Sequence, residues 1–174
     1  MPSNRREIDE LNRRLLVELQ DNARLTLAEL GRRVGLSPPA VAERLARLEE
    51  EEVITGYSAR IDPRALGYSL TAVIRIRPAP RELRKVAELA QRTPEVVECN
   101  RITGDDCFIF RLHVRDVDHL EEVIDRFVPY GQTTTSIVQS SPVPARGLAI
   151  QKERRRESTD EDRGPADAAA AKAV

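Results

Sequence analysis

The sequence predicts an α+β fold, and three features of the chain support this prediction. Apolar residues recur every three or four positions between residues 8 and 48, a spacing typical of amphipathic helices. From Leu70 onward, segments that alternate apolar and polar residues, as strands do, are interleaved with further helical segments. The length of 174 residues suits one medium domain or two small ones, and the change of periodicity before Leu70 favours two.

Composition and charge exclude several functional classes. The chain is 40% hydrophobic and 33% charged, which allows a packed core under a well-solvated surface. Its formal net charge of −1 does not decide about nucleic acid, because binding depends on local patches. No apolar run is long enough to cross a membrane and no signal peptide opens the chain, so we expect a cytoplasmic protein without a membrane partner. Cys99 and Cys107 lack metal-ligand spacing, so we expect neither metal nor cofactor.

Residues 26–48 carry the pattern that defines the N-terminal half. Thr26 and Glu29 are spaced as a capping box, which begins a helix. Gly35 follows the last apolar residue of that helix, where a left-handed C-cap favours glycine. Ser37 then suits the N-cap of a second helix. Two helices joined by so tight a glycine turn are typical of the helix-turn-helix motif.

A further helix over residues 8–20 completes a small three-helix core, and residues 57–61 alternate like a short strand. The sequence therefore predicts a winged-type helix-turn-helix DNA-binding domain over residues 7–56, with the strand and a linker over residues 57–68. The second helix of such a motif lies in the major groove of DNA. An ordinary helical hairpin with solvated charges is the alternative. The residues predicted to contact DNA are Arg32, Arg33, Ser37, Pro39, Ala40, Arg44 and Arg47.

The alternation of strand-like and helical segments predicts a second domain over residues 69–145. Its element order is βαββαβ, which is the ferredoxin-like pattern. The two helices cover one face of the sheet, and on the third strand the other face carries Ile109 among polar residues. We therefore expect a homodimer through the uncovered face. The predicted strands cover residues 70–77, 96–103, 107–114 and 133–141, and the predicted helices cover residues 81–92 and a segment that begins after Asp116 or Asp118 and includes Phe127.

The remaining residues indicate neither catalysis nor a covalent cross-link. Cys107 and His113 share a face of one predicted strand but lie roughly 20 Å apart, too far for a nucleophile and its base. A disulfide between Cys99 and Cys107 is disfavoured in a reducing compartment. The polar and then alanine-rich segment 146–174 has no apolar periodicity, so we expect a disordered tail there and a frayed start over residues 1–6.

Five segments have a distinctive order and spacing: Arg33 to Pro38, Arg44 to Leu48, Ile54 to Tyr57, Thr103 to Asp105 and Gly131 to Ser136. Together with the two predicted domains, they resemble the Lrp/AsnC family of prokaryotic transcription regulators. The resemblance implies a sequence-specific DNA-binding regulator whose promoter binding and oligomeric state respond to a small effector, usually an amino acid. The C-terminal domain, called RAM in this family, would dimerise and assemble dimers into tetramers or octamers. A nucleoid-associated location is also implied.

The effector site of the family lies between dimers, near the glycine–acid turn. Many members have an aspartate where this chain has Cys107, so the identity of the effector stays open. A ligand-independent architectural DNA-binding protein of the nucleoid type is therefore the alternative. The effector residues implied by the resemblance are Thr103, Gly104, Asp105 and Asp106, with hydroxyl groups from Thr133, Thr134, Thr135 and Ser136 of a neighbouring subunit.

Overall fold

The computed structural model describes residues 8–150 of the chain. The frayed start predicted for residues 1–6, and residues 151–174 of the predicted tail, lie outside the described residues. The described residues divide into two units, residues 8–57 together with 147–150, and Ser58–Arg146. No helix in residues 8–150 is long and apolar enough to cross a membrane.

The first unit contains three helices, α1 (Glu10–Asp21), α2 (Leu27–Val34) and α3 (Pro38–Glu50). Their ends follow the predicted capping signals. The Thr26 hydroxyl accepts the backbone N–H of Glu29, while the Glu29 carboxylate accepts the N–H of Thr26, so the capping box is confirmed. Gly35 has a φ of 81° in the left-handed C-cap of α2, and Ser37 caps α3. The core between the helices consists of Leu15, Leu30, Val34 and Val41.

The short strand predicted over residues 57–61 is wrong. The described chain has no strand between α3 and Leu70, so the strand of a wing is also absent there. A strand needs a neighbouring strand to satisfy its backbone groups, and no strand within residues 8–150 runs beside the segment. Tyr57 instead donates its hydroxyl to Glu49 Oε1 at 2.8 Å, and burial followed by this carboxylate contact raises the pKa of Tyr57 to about 12.

The second unit is the predicted βαββαβ arrangement, which confirms the α+β fold class. Its four strands form one antiparallel sheet with the spatial order β2-β3-β1-β4. Short 3-10 helices lie before β1 and before β4. The elements are β1 (Leu70–Pro78), α4 (Leu83–Arg92), β2 (Val96–Arg101), β3 (Phe108–Val114), α5 (Val117–Phe127) and β4 (Gly131–Ile137).

The two faces of this sheet differ as the alternation predicts. On β3, Phe108, Phe110, Leu112 and Val114 are buried under α4 and α5, and Ile109 and His113 on the other face are half-buried. The last strand begins at Gly131 and ends at Ile137, not at residue 141 as predicted, because its pairing with β1 ends where Ile137 lies opposite Ala72. One face of the sheet is therefore covered by helices, and no described element of this chain covers the other face.

Candidate DNA-binding surface and effector site

The outward face of α3 is the candidate DNA-binding surface. Val41 and Leu48 are buried against the other helices, which turns Pro39, Glu43 and Arg47 outward at a spacing of four residues. The side chain of Arg47 is 75% exposed, and its Nε lies 2.8 Å from Glu51 Oε1. An exposed ion pair between residues i and i+4 is weak, so Arg47 can exchange Glu51 for a phosphate or a base at small cost.

Arg44, also predicted to contact DNA, has partners inside the domain. Its Nη1 donates to Asp9 Oδ2 at 2.6 Å and to Asn12 Oδ1 at 2.9 Å, which joins α3 to the beginning of α1. The hydrogen bond from Arg44 is the largest cause of the lowered pKa of Asp9. To reach DNA, Arg44 would have to leave both partners, and the cap of α1 would lose an ion pair.

The two arginines at the end of α2 also differ from each other. Arg33 Nη1 lies 2.7 Å from Glu18 Oε2, and the backbone oxygen of Arg33 accepts a hydrogen bond from Arg14. Arg32 is exposed and contributes, after the Thr26 hydrogen bonds, to the lowered pKa of Glu29. Arg32 is therefore the freer of the two for a phosphate contact.

At the beginning of α3, Ser37 accepts the backbone N–H of Ala40 at 3.4 Å, and Pro39 is exposed. Ala40 is half-buried, so its small side chain serves packing as well as close approach. Sequence reasoning missed Glu43, an exposed acid at the centre of the outward face. A carboxylate there can accept from the amino group of cytosine. Its position two residues after the buried Val41 was the signal that could have found it.

The candidate effector site surrounds the turn between β2 and β3. Gly104 has a φ of 112°, a conformation that side chains rarely adopt, and Thr103 is exposed beside it. Two arginines of β1 that sequence reasoning missed reach this turn. Arg77 Nε donates to the backbone oxygen of Asp105 at 2.9 Å, and Arg75 Nη1 lies 3.7 Å from Asp106 Oδ2. Their alternation on β1 placed them on the uncovered face, but nothing local indicated the contact with the turn.

The four hydroxyl residues of β4 do not all point to this site. Thr133 and Thr135 lie opposite Ile76 and Ile74, so they belong to the helix-covered face. Thr134 lies opposite Arg75, and Ser136 lies opposite Val73, so these two belong to the uncovered face. Within one chain, only this second pair shares a face with the arginines of β1.

Both cysteines are free thiols. Cys107 is half-buried against the core, and its N–H donates to the backbone oxygen of Ile76. Cys99 lies on β2 and is exposed overall. Partial burial of its thiol nevertheless raises the pKa of that group. Within residues 8–150 no group of three or more His, Cys, Asp or Glu side chains is arranged to hold a metal ion.

Each half of the chain matches a known protein family. Residues 71–148 match the family described as the Lrp/AsnC ligand binding domain, and residues 8–49 match the AsnC-type helix-turn-helix domain. These two matches coincide with the sheet domain and with the three helices.

Individual relatives cover nearly the same span. The HTH-type transcriptional regulator YezC of Bacillus subtilis (strain 168) is 40% identical over 134 residues, which are 77% of this chain and 95% of YezC. The leucine-responsive regulatory protein of Escherichia coli (strain K12) is 31% identical over 153 residues, which are 84% of this chain and 93% of the relative.

Solved structures of similar proteins match the fold of this chain. LrpC of B. subtilis has a TM-score of 0.75 at 28% identity, covering 78% of this chain and 96% of its own. A feast or famine regulatory protein from M. tuberculosis, solved as a complex with L-methionine, has a TM-score of 0.78 at 32% identity, covering 83% of this chain and 100% of its own. The resemblance predicted from the sequence is thereby confirmed: the chain belongs to the Lrp/AsnC family of DNA-binding transcriptional regulators.

Proposed function

We propose that the protein is a sequence-specific regulator whose promoter binding and oligomeric state respond to a small effector, of which an amino acid is the best candidate. One observation carries this proposal. The same chain has an exposed face on α3 that carries Arg47 and, in the other unit, a charged turn held by Arg75 and Arg77. The M. tuberculosis relative complexed with L-methionine supports an amino acid as the effector class.

For DNA binding, the beginning of α3 approaches the base edges, and Arg32 and Arg47 contact phosphates or bases at the flanks. Contacts to phosphates position the protein, whereas contacts to base edges read the sequence. A homodimer would present two copies of α3 to half-sites about 34 Å apart, one turn of DNA. The uncovered sheet face, where Val73 and Ile109 are half-buried, is the surface we propose for that dimer.

Replacing Arg47 with alanine is expected to weaken operator binding by about 1–3 kcal/mol, as the loss of one base contact does. The free energy of unfolding should change little, since the Arg47–Glu51 pair is exposed. The operator would be selected from randomised DNA, affinity measured by gel shift at several salt concentrations, and stability measured by urea denaturation.

Arg44→Ala is the matched control on the same helix. It removes the partner of Asp9 and Asn12, so any loss of DNA affinity should be accompanied by a loss of stability. If Arg44→Ala weakens DNA binding at unchanged stability and Arg47→Ala does not, the outward face of α3 is assigned incorrectly.

For effector binding, the turn between β2 and β3 offers backbone N–H groups and two carboxylates that are already partnered by Arg75 and Arg77. Asp106 is the more shielded of the two, with its side chain 23% exposed. A ligand placed here would exchange these pairs for its own charges, and Thr134 of β4 lies opposite Arg75 on the same face. Such a ligand shifts the assembly only through its different affinities for the two states.

We expect at least one of the twenty amino acids to raise the melting temperature of the purified protein. A ligand that binds only the native state at one hundred times its Kd stabilises that state by about 2.7 kcal/mol. Light scattering would follow the oligomeric mass alongside. Arg77→Ala should abolish the shift, whereas Arg111→Ala, an exposed arginine elsewhere on the uncovered face, should retain it.

Ligand-independent architectural DNA binding is the second candidate. It is favoured by the mutual pairing of Asp105 with Arg77 and of Asp106 with Arg75, which leaves the turn without a free carboxylate. If no amino acid stabilises the protein, and DNA is bound irrespective of sequence with a steep dependence on salt, this second function replaces the first.

A further inference from the structure

A second cleft of the sheet domain lies away from the turn and is not used by the proposed function. It has a volume of about 330 Å³ and opens beside α5, where the beginning of β2 and the end of β3 meet the segment that precedes β1. Ligand pockets of proteins span about 300–1,000 Å³, so this cleft has room for a small molecule.

The floor of the cleft is a buried polar network. His119 and Glu95 have side chains that are 7% and 11% exposed, and His119 Nε2 lies 3.0 Å from Glu95 Oε1. His119 Nδ1 accepts the backbone N–H of Arg115 at 3.3 Å. The hydrogen bond at Nδ1 and the carboxylate at Nε2 together fix the orientation of the ring.

Glu95 is satisfied by a second partner. Arg126 Nη1 lies 3.4 Å from Glu95 Oε2, which offsets the charge of this carboxylate. Burial by itself raises the pKa of Glu95, but the hydrogen bond from His119 and the charge of Arg126 outweigh it and lower the pKa below its usual value. The floor therefore carries an ionised, fully partnered Glu95.

The rim of the cleft carries two further charged side chains, those of Arg115 and Glu122. Within residues 8–150, neither the guanidinium of Arg115 nor the carboxylate of Glu122 has an ion-pair or hydrogen-bond partner. Arg126, one turn after Glu122 on α5, is occupied by Glu95 instead. Among the described residues the cleft thus offers one cation and one anion without a partner, and Tyr68 also lines it.

We propose that this cleft binds a small zwitterion, a molecule of the size of a free amino acid, whose carboxylate pairs with Arg115 and whose ammonium pairs with Glu122. A simple anion would leave Glu122 facing it, and a simple cation would face Arg115, so only a ligand with both charges satisfies both groups. This site is independent of the turn between β2 and β3.

A ligand in the cleft would contact the segment that precedes β1. The Ser69 hydroxyl donates to the backbone oxygen of Arg115, which fastens the segment before β1 to the end of β3. Leu66 and Tyr68 of that segment line the cleft. A ligand held by Arg115 would therefore restrain the segment that leads into β1 from the preceding residues.

The two histidines of the chain provide a local readout of binding. The full-length protein, labelled with ¹³C in histidine only, is titrated with each of the twenty L-amino acids and with acetate, methylammonium and inorganic phosphate. His113 lies on the uncovered sheet face beside Thr71, and His113→Gln assigns the two signals. In the Arg77→Ala protein, whose turn no longer binds an effector, a zwitterion in the cleft is expected to shift the ring signal of His119 and to leave that of His113 unchanged.

Variants then test the two charges by calorimetry. Arg115→Gln and Glu122→Gln should each weaken the zwitterion at least tenfold, whereas Glu121→Gln, an exposed neighbour on α5 that does not line the cleft, should not. Arg77→Ala, at the turn, should leave the His119 shift intact, so failure here is distinguishable from failure of the proposed effector site. Binding of acetate or phosphate as tight as that of any amino acid, or the absence of a His119 shift with all twenty, would overturn the proposal.

Discussion

Replacing Phe110 with alanine is expected to lower the free energy of unfolding of the sheet domain by about 3–5 kcal/mol. The ring of Phe110 is fully buried in the centre of the sheet, with its centroid 5.1 Å from that of Phe127 and 6.1 Å from that of Phe108. Its removal loses both aromatic contacts and leaves a cavity that the strands on either side cannot close.

The measurement is urea denaturation followed by circular dichroism, with ligand binding tested on the folded fraction. Arg111→Ala, the next residue on β3, is the control. Its side chain is exposed and lies 3.7 Å from Glu98, so its loss should cost at most about 1 kcal/mol. Equal losses for the two variants would show that the helix-covered face does not dominate the stability of this domain.

Replacing Gly31 with alanine is expected to lower the free energy of unfolding of the helical unit. Gly31 is buried in α2, and a Cβ atom there would lie 2.4 Å from the backbone oxygen of Leu36. Such a contact forces α2 away from the turn that leads to α3, at a cost of about 1–3 kcal/mol. Because α3 is the proposed DNA-reading helix, operator affinity should fall together with stability.

Gly35→Ala separates this clash from the general effect of removing a glycine. A Cβ atom at Gly35 meets nothing within 4 Å, but its φ of 81° is unfavourable for alanine, so we expect a loss of about 1 kcal/mol. Thermal and urea denaturation, with gel shifts on the selected operator, compare the two variants. A Gly31→Ala protein that binds DNA as the original does would contradict the close approach between α2 and the turn.

The helix ends and the buried faces of the strands follow from local patterns in the sequence. The capping box of Thr26 and Glu29, the left-handed Gly35 and the cap of Ser37 each depend on groups within a few residues of one another. The alternation on β3 likewise determines which side chains enter the core, because a strand turns successive residues to opposite faces. Such short-range rules explain why both domains could be predicted.

The errors have a shared origin in partners that are distant in the chain. Alternation over residues 57–61 resembles a strand, but none of the described strands runs beside this segment, and Tyr57 contacts Glu49 instead. Arg44 has the position of a DNA contact, yet it pairs with Asp9, 35 residues earlier. Local patterns carry no information about such partners.

The sequence by itself therefore determined the two-domain α+β fold, its family and the helix proposed to read DNA, because capping, periodicity and motif order are encoded locally. Only the tertiary structure decided which charged side chains remain available. It paired Arg44 with Asp9 and brought Arg75 and Arg77 to the turn of Asp105 and Asp106. It also joined His119 to Glu95, while Arg115 and Glu122 have no partner among the side chains of residues 8–150. Electrostatic interactions act through space, so a charge is committed or free according to which chain segments the fold brings together.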